Sequence, residues 1–294
     1  MADFSELVII SGKGGTGKTS LVACLASLFK SRVVADCDVD AANLNLILNG
    51  NVVEKKDFVG GKKAVIKSDL CTVCGKCLEV CRFGAISQDF VVDRVACEGC
   101  GACHVFCPTS AIDFSPRRCG ECYTCTTADG QPLVFAELLP GEENSGKLVT
   151  MVRTEARKQA ETKNIPLIVI DGPPGIGCPV IASVTGTSHA VIVTEPTGSG
   201  IHDLKRILQL TAHFGINAGV VVNKSDINTT HTSSVKALCE KEGRAMFFGG
   251  IPFEPKVSEA QRKGITILDY APTSEASTAI RNIYKRIKKN MEES

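Results

Sequence analysis

Two groups of residues in this 294-residue sequence have the side-chain types and the spacing that a chemical site requires. The first is the segment SGKGGTGKTS at residues 11–20, which fits the phosphate-binding pattern G-x-x-x-x-G-K-[ST]. Glycines allow backbone N–H groups to turn toward phosphate oxygens, and a helix that follows adds the partial positive charge of its N-terminus. We therefore expect a nucleoside triphosphate to bind at Gly12, Lys13, Gly14, Gly15, Thr16, Gly17, Lys18, Thr19 and Ser20.

Chemistry at the bound phosphates requires further side chains. Lys18 would neutralise the β- and γ-phosphates, and the hydroxyl of Thr19 would be a ligand of Mg²⁺. The apolar run LIVIDGPPG contains Asp171, which is suited to hold Mg²⁺ from the outer shell. A second run, ADCDVDAANLNL, supplies carboxylates that either orient the attacking water or are simply solvated at a strand end: Asp36, Asp38 and Asp40.

The second group is a set of cysteines. Eleven of the fifteen cysteines lie between Cys71 and Cys125, and a cytosolic chain would hold such clustered thiols as metal ligands instead of disulfides. The pattern C-x₂-C-x₂-C-x₃-C occurs twice, 26 residues apart, and the segments RFGAI and PTSAI follow its two copies. This is the spacing of a two-cluster bacterial ferredoxin, in which each fourth cysteine serves the other cluster.

The ferredoxin spacing predicts two ligand sets. One [4Fe–4S] cluster would be bound by Cys71, Cys74, Cys77 and Cys107. The other would be bound by Cys97, Cys100, Cys103 and Cys81. Two zinc sites are the alternative for these eight thiols.

A third cysteine motif, C-x₂-C-x₂-C without a fourth member, comprises Cys119, Cys122 and Cys125. It predicts a third cluster with an open or borrowed ligand, and a zinc site or redox-active free thiols are the alternatives. Cys178 follows the segment GPPGIG and is either a further ligand or a small buried apolar residue.

The elements that must position these residues alternate between strand-like and helix-like runs. Short apolar runs such as ELVII, PLIVIDG and HAVIVTEP suit strands buried on both faces, and runs with helical periodicity separate them. We therefore predict a doubly wound, mostly parallel α/β domain, interrupted by a small α+β ferredoxin-like insert. The predicted boundaries are 1–60 and 127–294 for the α/β domain and 61–126 for the insert, which includes the third cysteine motif.

Composition excludes several other classes of protein. The formal net charge is +1 and no long block of like charge occurs, so we expect no nucleic-acid partner. No apolar run approaches the roughly 18 residues of a membrane span, and the first residues lack the basic region of a signal peptide. We expect a cytoplasmic protein that does not bind a membrane.

The motifs in the flanks resemble those of the MinD/ParA/Mrp class of P-loop ATPases. GKGGTGKT is similar to the deviant phosphate loop of that class, DCDVDAANLNL to its switch I and DGPPGIG to its switch II. The resemblance implies an Mg²⁺-dependent ATPase in which Asp38 orients the attacking water and Asp171 holds Mg²⁺ through water. It also implies a homodimer closed on nucleotide, in which Lys13 reaches the partner's phosphates.

Recognition of the base depends on the segment VVVNKSD. Asn223, Lys224 and Asp226 fit the guanine-binding pattern N-K-x-D, so the residues alone leave GTP open. The resemblance implies instead that Asn223 contacts adenine and that a loop at Ile251 and Pro252 covers the base. We expect ATP on that ground.

The chain as a whole resembles MinD-superfamily ATPases that contain an inserted ferredoxin domain, and the blocks GEENSGKLV and DGPPGIGCPVIAS support this resemblance. It implies nucleotide-dependent dimer switching coupled to low-potential electron transfer or to metallocluster handling for a partner protein. One alternative is a carrier or scaffold for iron–sulfur or iron–molybdenum clusters with ATP-governed release. A more remote alternative is a positioning switch of the MinD/ParA kind.

Overall fold

The apolar runs of the sequence form the strands of the computed structural model, which describes residues 4–142, 146–242 and 245–293. The strands are β1 (Ser5–Ser11), β2 (Val33–Asp36), β3 (Asn51–Lys62), β4 (Val65–Ile66), β5 (Ile112–Asp113), β6 (Pro116–Thr126), β7 (Pro132–Leu138), β8 (Leu167–Pro174), β9 (His189–Thr194), β10 (Asn217–Asn223) and β11 (Ala245–Ile251).

The helices lie between these strands or after β11. They are α1 (Lys18–Leu28), α2 (Leu44–Ile47), α3 (Lys76–Val80), α4 (Ala102–Val105), α5 (Lys147–Lys163), α6 (Cys178–Val184), α7 (Gly198–His213), α8 (Thr229–Glu242), α9 (Lys256–Arg262), α10 (Ile267–Tyr270) and α11 (Glu275–Glu293).

Nine strands form one sheet in the order β11-β10-β9-β1-β8-β2-β7-β6-β3. The pairs along the series β11-β10-β9-β1-β8-β2-β7 are all parallel. The prediction of a mostly parallel α/β sheet is therefore confirmed. Parallel strands end at one edge of a sheet, so the segments that follow β1, β2, β8 and β10 meet there, as a ligand site of this architecture requires.

Helices α1, α5, α6, α7, α8 and α11 pack against strands of this sheet. In α11 the buried face contains Ile280, Ile283 and Ile287, which join the main core, and Tyr284 packs edge-on against Phe29 with ring centroids 4.8 Å apart. Within the described ranges, no helix has the length and apolarity that crossing a membrane would require.

The chain divides into two compact units. The first, which we call the nucleotide unit, comprises Met1–Lys55, Cys122–Ala136 and Ser145–Ser294. The second, the cysteine unit, comprises Lys56–Glu121 and Glu137–Asn144. The predicted insert at 61–126 thus differs from this division at each end, because strands β3 and β6 each pass from one unit into the other.

Candidate functional site

The phosphate loop lies between the end of β1 and the start of α1, and its glycines are required by its geometry. Gly17 caps α1 in the left-handed conformation with φ of +85°. A Cβ at this position would lie 2.3 Å from Asn223 Nδ2, and a Cβ at Gly12 would lie 2.3 Å from the Cβ of Asp203. Larger side chains would therefore move the neighbouring segments of the site.

Lys18 is the centre of a buried cluster of charges at the first turn of α1. Its Nζ forms ion pairs with Asp171 and, at 3.3 Å, with Asp38 Oδ2. Burial opposes the charge of the ammonium group, but the two carboxylates hold the pKa of Lys18 above its usual value. Burial raises the pKa of Asp171, and the nearby Lys18 opposes that rise. The sheet thus brings together three of the predicted residues, which are far apart in sequence.

Two buried oxygens at this cluster have no hydrogen-bond partner among the described residues: Asp171 Oδ2 and Thr16 Oγ1. The Thr19 side chain also hydrogen-bonds to Asp171. Buried polar atoms normally have partners, so a missing partner indicates a ligand, an ion or ordered water. Hard oxygen donors of this kind fit Mg²⁺ and its bound water. The residues therefore fit the expected magnesium nucleotide.

The three carboxylates after β2 have different surroundings. Asp36 is buried and accepts backbone N–H hydrogen bonds from Asp38, Asn43 and Leu44 at 3.1–3.2 Å. Burial and the neighbouring Asp171 raise the pKa of Asp36 to about 8. Asp36 therefore shapes the loop that holds Asp38, whereas Asp38 and Asp40 line the open cavity.

The base end of the site is built from hydrogen bonds between loops. Asn223 Nδ2 donates to the Thr16 carbonyl at 2.8 Å. Asp226 Oδ1 accepts the backbone N–H of Phe253 at 2.7 Å and so anchors the loop that follows β11. Lys224 Nζ forms an ion pair with Glu195 Oε1 at 2.6 Å. Neither the role of Glu195 nor the anchoring role of Asp226 was predicted, because neither contact has a local sequence signal.

One cavity of about 590 Å³ joins the two ends of this site. Its volume is in the usual range for a site that holds a small molecule. The predicted residues on its wall are Gly14, Gly15, Thr16, Gly17, Lys18, Thr19, Ser20, Asp38, Asn223 and Pro252. Phe253, Val257 and Gln261 line the same cavity, and Gln261 Nε2 donates to Ser20 Oγ at 2.6 Å.

Lys13 lies outside this buried cluster. Its Nζ is 3.6 Å from Glu195 Oε2 and 3.4 Å from Ser199 Oγ, and 39% of its side chain is exposed. A partly exposed ion pair of this kind contributes little stability. Lys13 can therefore exchange this contact for another anion at small cost.

Eight cysteines of the cysteine unit line two cavities, four in each. One cavity is lined by Cys71, Cys74, Cys77 and Cys107, and the other by Cys81, Cys97, Cys100 and Cys103. The fourth cysteine of each repeat thus lies at the cavity of the other repeat. No group of three or more His, Cys, Asp or Glu side chains has the arrangement of a single-ion site within the ranges described above.

The third cysteine motif has a different geometry because it lies on strand β6. Successive side chains of a strand point to opposite faces, so Cys122 faces away from Cys119 and Cys125. All three thiols are buried; Cys119 Sγ accepts the N–H of Gly61 at 3.1 Å, and Cys125 belongs to the main core. The strand does not bring these cysteines together around one metal. Cys178, by contrast, is exposed at the start of α6 and is not a buried apolar residue.

Comparisons with known proteins agree with this architecture. The family model for the CobQ/CobB/MinD/ParA nucleotide binding domain matches residues 7–267. An uncharacterised protein of Methanocaldococcus jannaschii is 36% identical over 96% of both chains. The cytosolic Fe-S cluster assembly factor NBP35 of Eremothecium gossypii is 29% identical over 41% of both chains. The septum site-determining protein MinD of Pyrococcus horikoshii, in complex with Mg-ADP, matches with a TM-score of 0.61, 17% identity and coverage of 98% and 97%.

Proposed function

We propose that this chain, which belongs to the CobQ/CobB/MinD/ParA nucleotide binding domain family, couples its P-loop ATPase activity to iron–sulfur chemistry in the cysteine unit. The nucleotide unit is a P-loop ATPase of the MinD-like fold. The observation that supports the coupling is the pair of four-cysteine cavities. In the same polypeptide, ATP hydrolysis and electron or cluster handling can share one conformational cycle.

In the ATPase step, Lys18 and the backbone of the phosphate loop stabilise the negative charge that develops as water attacks the γ-phosphorus. Lys18 exchanges its ion pairs with Asp171 and Asp38 for phosphate oxygens when nucleotide enters. That exchange frees Asp38 to accept a hydrogen bond from the attacking water. Asp171 and the Thr19 hydroxyl would hold Mg²⁺, which would neutralise negative charge on the phosphates.

The base in this site is adenine. Pro252 has no N–H, and the N–H of Phe253 already donates to Asp226, so these two residues offer only carbonyl acceptors. Acceptors suit the exocyclic amino group of adenine and repel the O6 carbonyl of guanine. Lys224 and Asp226 of the N-K-x-D pattern are also engaged within the chain, which further opposes guanine binding.

Lys13 acts between two copies of the chain. Its weak contact with Glu195 leaves the ammonium group available for the phosphates of a partner's nucleotide. We expect Lys13→Ala to bind ATP but to remain monomeric with ATP by light scattering, and Arg206→Ala on an exposed turn of α7 is the control. ATP-dependent dimerisation of Lys13→Ala would contradict this role.

The cysteine unit binds two [4Fe–4S] clusters. Cubane clusters require four thiolates each, and the two cavities offer four cysteines each in the crossed arrangement of a two-cluster ferredoxin. When bound, such clusters supply low-potential one-electron transfer. The protein positions the thiolates, and it buries Cys77 and Cys103 while Cys74 and Cys100 stay exposed.

Cluster assembly for another protein is the second candidate function. It is favoured by the similarity to the Fe-S cluster assembly factor NBP35. In this case the cluster is cargo, and the partner is an acceptor of metalloclusters. In the first case the partner is a redox protein.

Metal analysis and redox titration of the whole chain, purified without oxygen, test the proposal. We expect about eight iron atoms and eight sulfides per chain, and a shift in reduction potential or in the electron paramagnetic resonance spectrum on addition of ATP and Mg²⁺. Far fewer irons would contradict the two clusters, and spectra that ignore ATP would contradict the coupling. Transfer of iron to an apo-ferredoxin only when ATP is hydrolysed would favour cluster assembly over electron transfer.

A further inference from the structure

The two cysteine repeats differ in the residues that surround their fourth cysteine. In the first repeat Cys81 is followed by Arg82 and Phe83, and in the second Cys107 is followed by Pro108 and Thr109. The two positions are equivalent in the repeat, so the chain contains its own comparison. The inference drawn from this difference rests on the proposed pair of clusters.

Of the two fourth cysteines, Cys107 is the one whose sulfur accepts hydrogen bonds. The backbone N–H of Ala111 donates to Cys107 Sγ at 3.3 Å, and Thr109 Oγ1 lies 3.7 Å from the same atom. A thiolate ligand has no proton to donate, so the Thr109 hydroxyl must be the donor when Cys107 binds iron. Among the described residues, none donates a hydrogen bond to Cys81 Sγ.

The charged side chains at the two cavities also favour a negative charge more at the Cys107 cavity than at the Cys81 cavity. Lys76 lines the cavity that contains Cys107, and Glu98 lines the cavity that contains Cys81. Both side chains are exposed, so solvent screens their effect. Lys62 partly offsets Glu98, because its Nζ lies 5.5 Å from the ring centre of Phe114 on the second cavity. The hydrogen bonds at Cys107 are therefore the stronger of the two differences.

We propose that Thr109 and the N–H of Ala111 give the cluster at Cys71, Cys74, Cys77 and Cys107 the higher reduction potential of the two. Reduction adds one negative charge to a cluster, and donors to a ligand sulfur stabilise that charge. One electron taken from a low-potential one-electron donor, which is thereby oxidised, would therefore reside mainly on the cluster held at Cys107.

A potentiometric titration of the whole chain, followed by electron paramagnetic resonance with dithionite as reductant, tests this assignment. Thr109→Val removes the hydroxyl and keeps the shape of the side chain. We expect it to lower the higher of the two potentials by about 59 mV, which is about tenfold in the ratio of reduced to oxidised cluster. Thr109→Ser, which keeps the hydroxyl, should restore most of the potential. Phe83→Val, at the equivalent position, should leave the higher potential unchanged.

The outcomes separate the inference from the proposed function. A Thr109→Val variant with full iron content that shifts the lower potential, or neither potential, overturns the inference and leaves the two clusters intact. Wild-type protein with far fewer than about eight irons overturns the proposed function itself. If Thr109→Val loses iron, Lys76→Gln on the exposed surface decides, because it should lower the same higher potential by a smaller amount. No shift with Lys76→Gln would then count against the inference.

Discussion

Residues 71–77 and residues 119–125 have the same C-x₂-C-x₂-C spacing but opposite geometry. In the first segment the backbone turns, with φ of +56° at Val73 and +77° at Gly75, and its three cysteines line one cavity. In the second segment the cysteines lie on strand β6 and alternate between its faces. Spacing therefore defines a ligand set only where the backbone turns back on itself.

The phosphate loop follows the same rule. Gly15 and Gly17 have φ of +78° and +85°, and Gly101 in the second cysteine loop has φ of +76°. In each of these loops a left-handed glycine stands directly before a helix, at Gly17, Gly75 and Gly101. Glycine adopts positive φ at little cost, and this conformation turns successive backbone groups toward one centre.

We expect the largest effect when a cysteine of each segment is replaced and the iron content of the chain is measured. Cys77→Ala removes a thiolate from a four-cysteine cavity, and we expect the loss of about half of the iron. Cys122→Ala, in the segment with equal spacing, should keep all of it. The measurement is iron and sulfide per chain after anaerobic purification, with circular dichroism to verify folding. A loss of iron in Cys122→Ala would show that β6 contributes a ligand after all.

The next effect concerns the turn of the phosphate loop. Gly17→Ala forces an alanine into positive φ and places its Cβ against Asn223 Nδ2, so the loop must move. We expect ATP affinity, measured by isothermal titration calorimetry, to fall about a hundredfold, or about 2.7 kcal/mol. Gly186→Ala is the matched control, because φ there is +74° with nothing within 4 Å. An equal loss of ATP affinity in both variants would mean that general backbone strain, and not the geometry of the phosphate loop, causes the loss.

Sequence patterns predicted the parts of the site whose geometry is local. The phosphate loop and the two cysteine sets lie on short turns, where glycines and spacing determine the backbone. The mostly parallel sheet followed from the apolar strand runs. Contacts between distant segments were not predictable: Glu195 with Lys13, or Asp226 with Phe253. The β6 motif was misleading because the same letters fit a turn and a strand, and pairing in the sheet favoured the strand.

The N-K-x-D segment is a second case in which a sequence pattern does not define a site. Its Lys224 and Asp226 side chains already contact Glu195 and the backbone N–H of Phe253. Asp226→Ala releases the N–H of Phe253, which can then donate to the O6 of guanine. We expect the preference for ATP over GTP, measured by competition binding, to fall about tenfold, the effect of one hydrogen bond. Asp226→Asn keeps an acceptor for that N–H and should retain most of the preference. If the wild type bound GTP more tightly than ATP and Asp226→Asn abolished that preference, Asp226 would contact guanine.

The smallest effect concerns the stability of the β6 cysteines. Cys125 is 1% exposed and belongs to the main core. A Cβ added at Gly50 would lie 3.2 Å from the Cβ of Cys125, so the two segments are closely packed. The Cys125 thiol therefore fills space in the core instead of binding metal. We expect Cys125→Ala to lower the free energy of unfolding by about 1 kcal/mol through the cavity left behind. Cys178→Ala, at an exposed position, should change it by less than about 0.5 kcal/mol. Urea unfolding of the metal-free chain measures both. The metal-free form is used because it separates packing from metal binding. If Cys125→Ala and wild type were equally stable in that form and the variant were less stable only after iron loading, Cys125 would belong to a metal site.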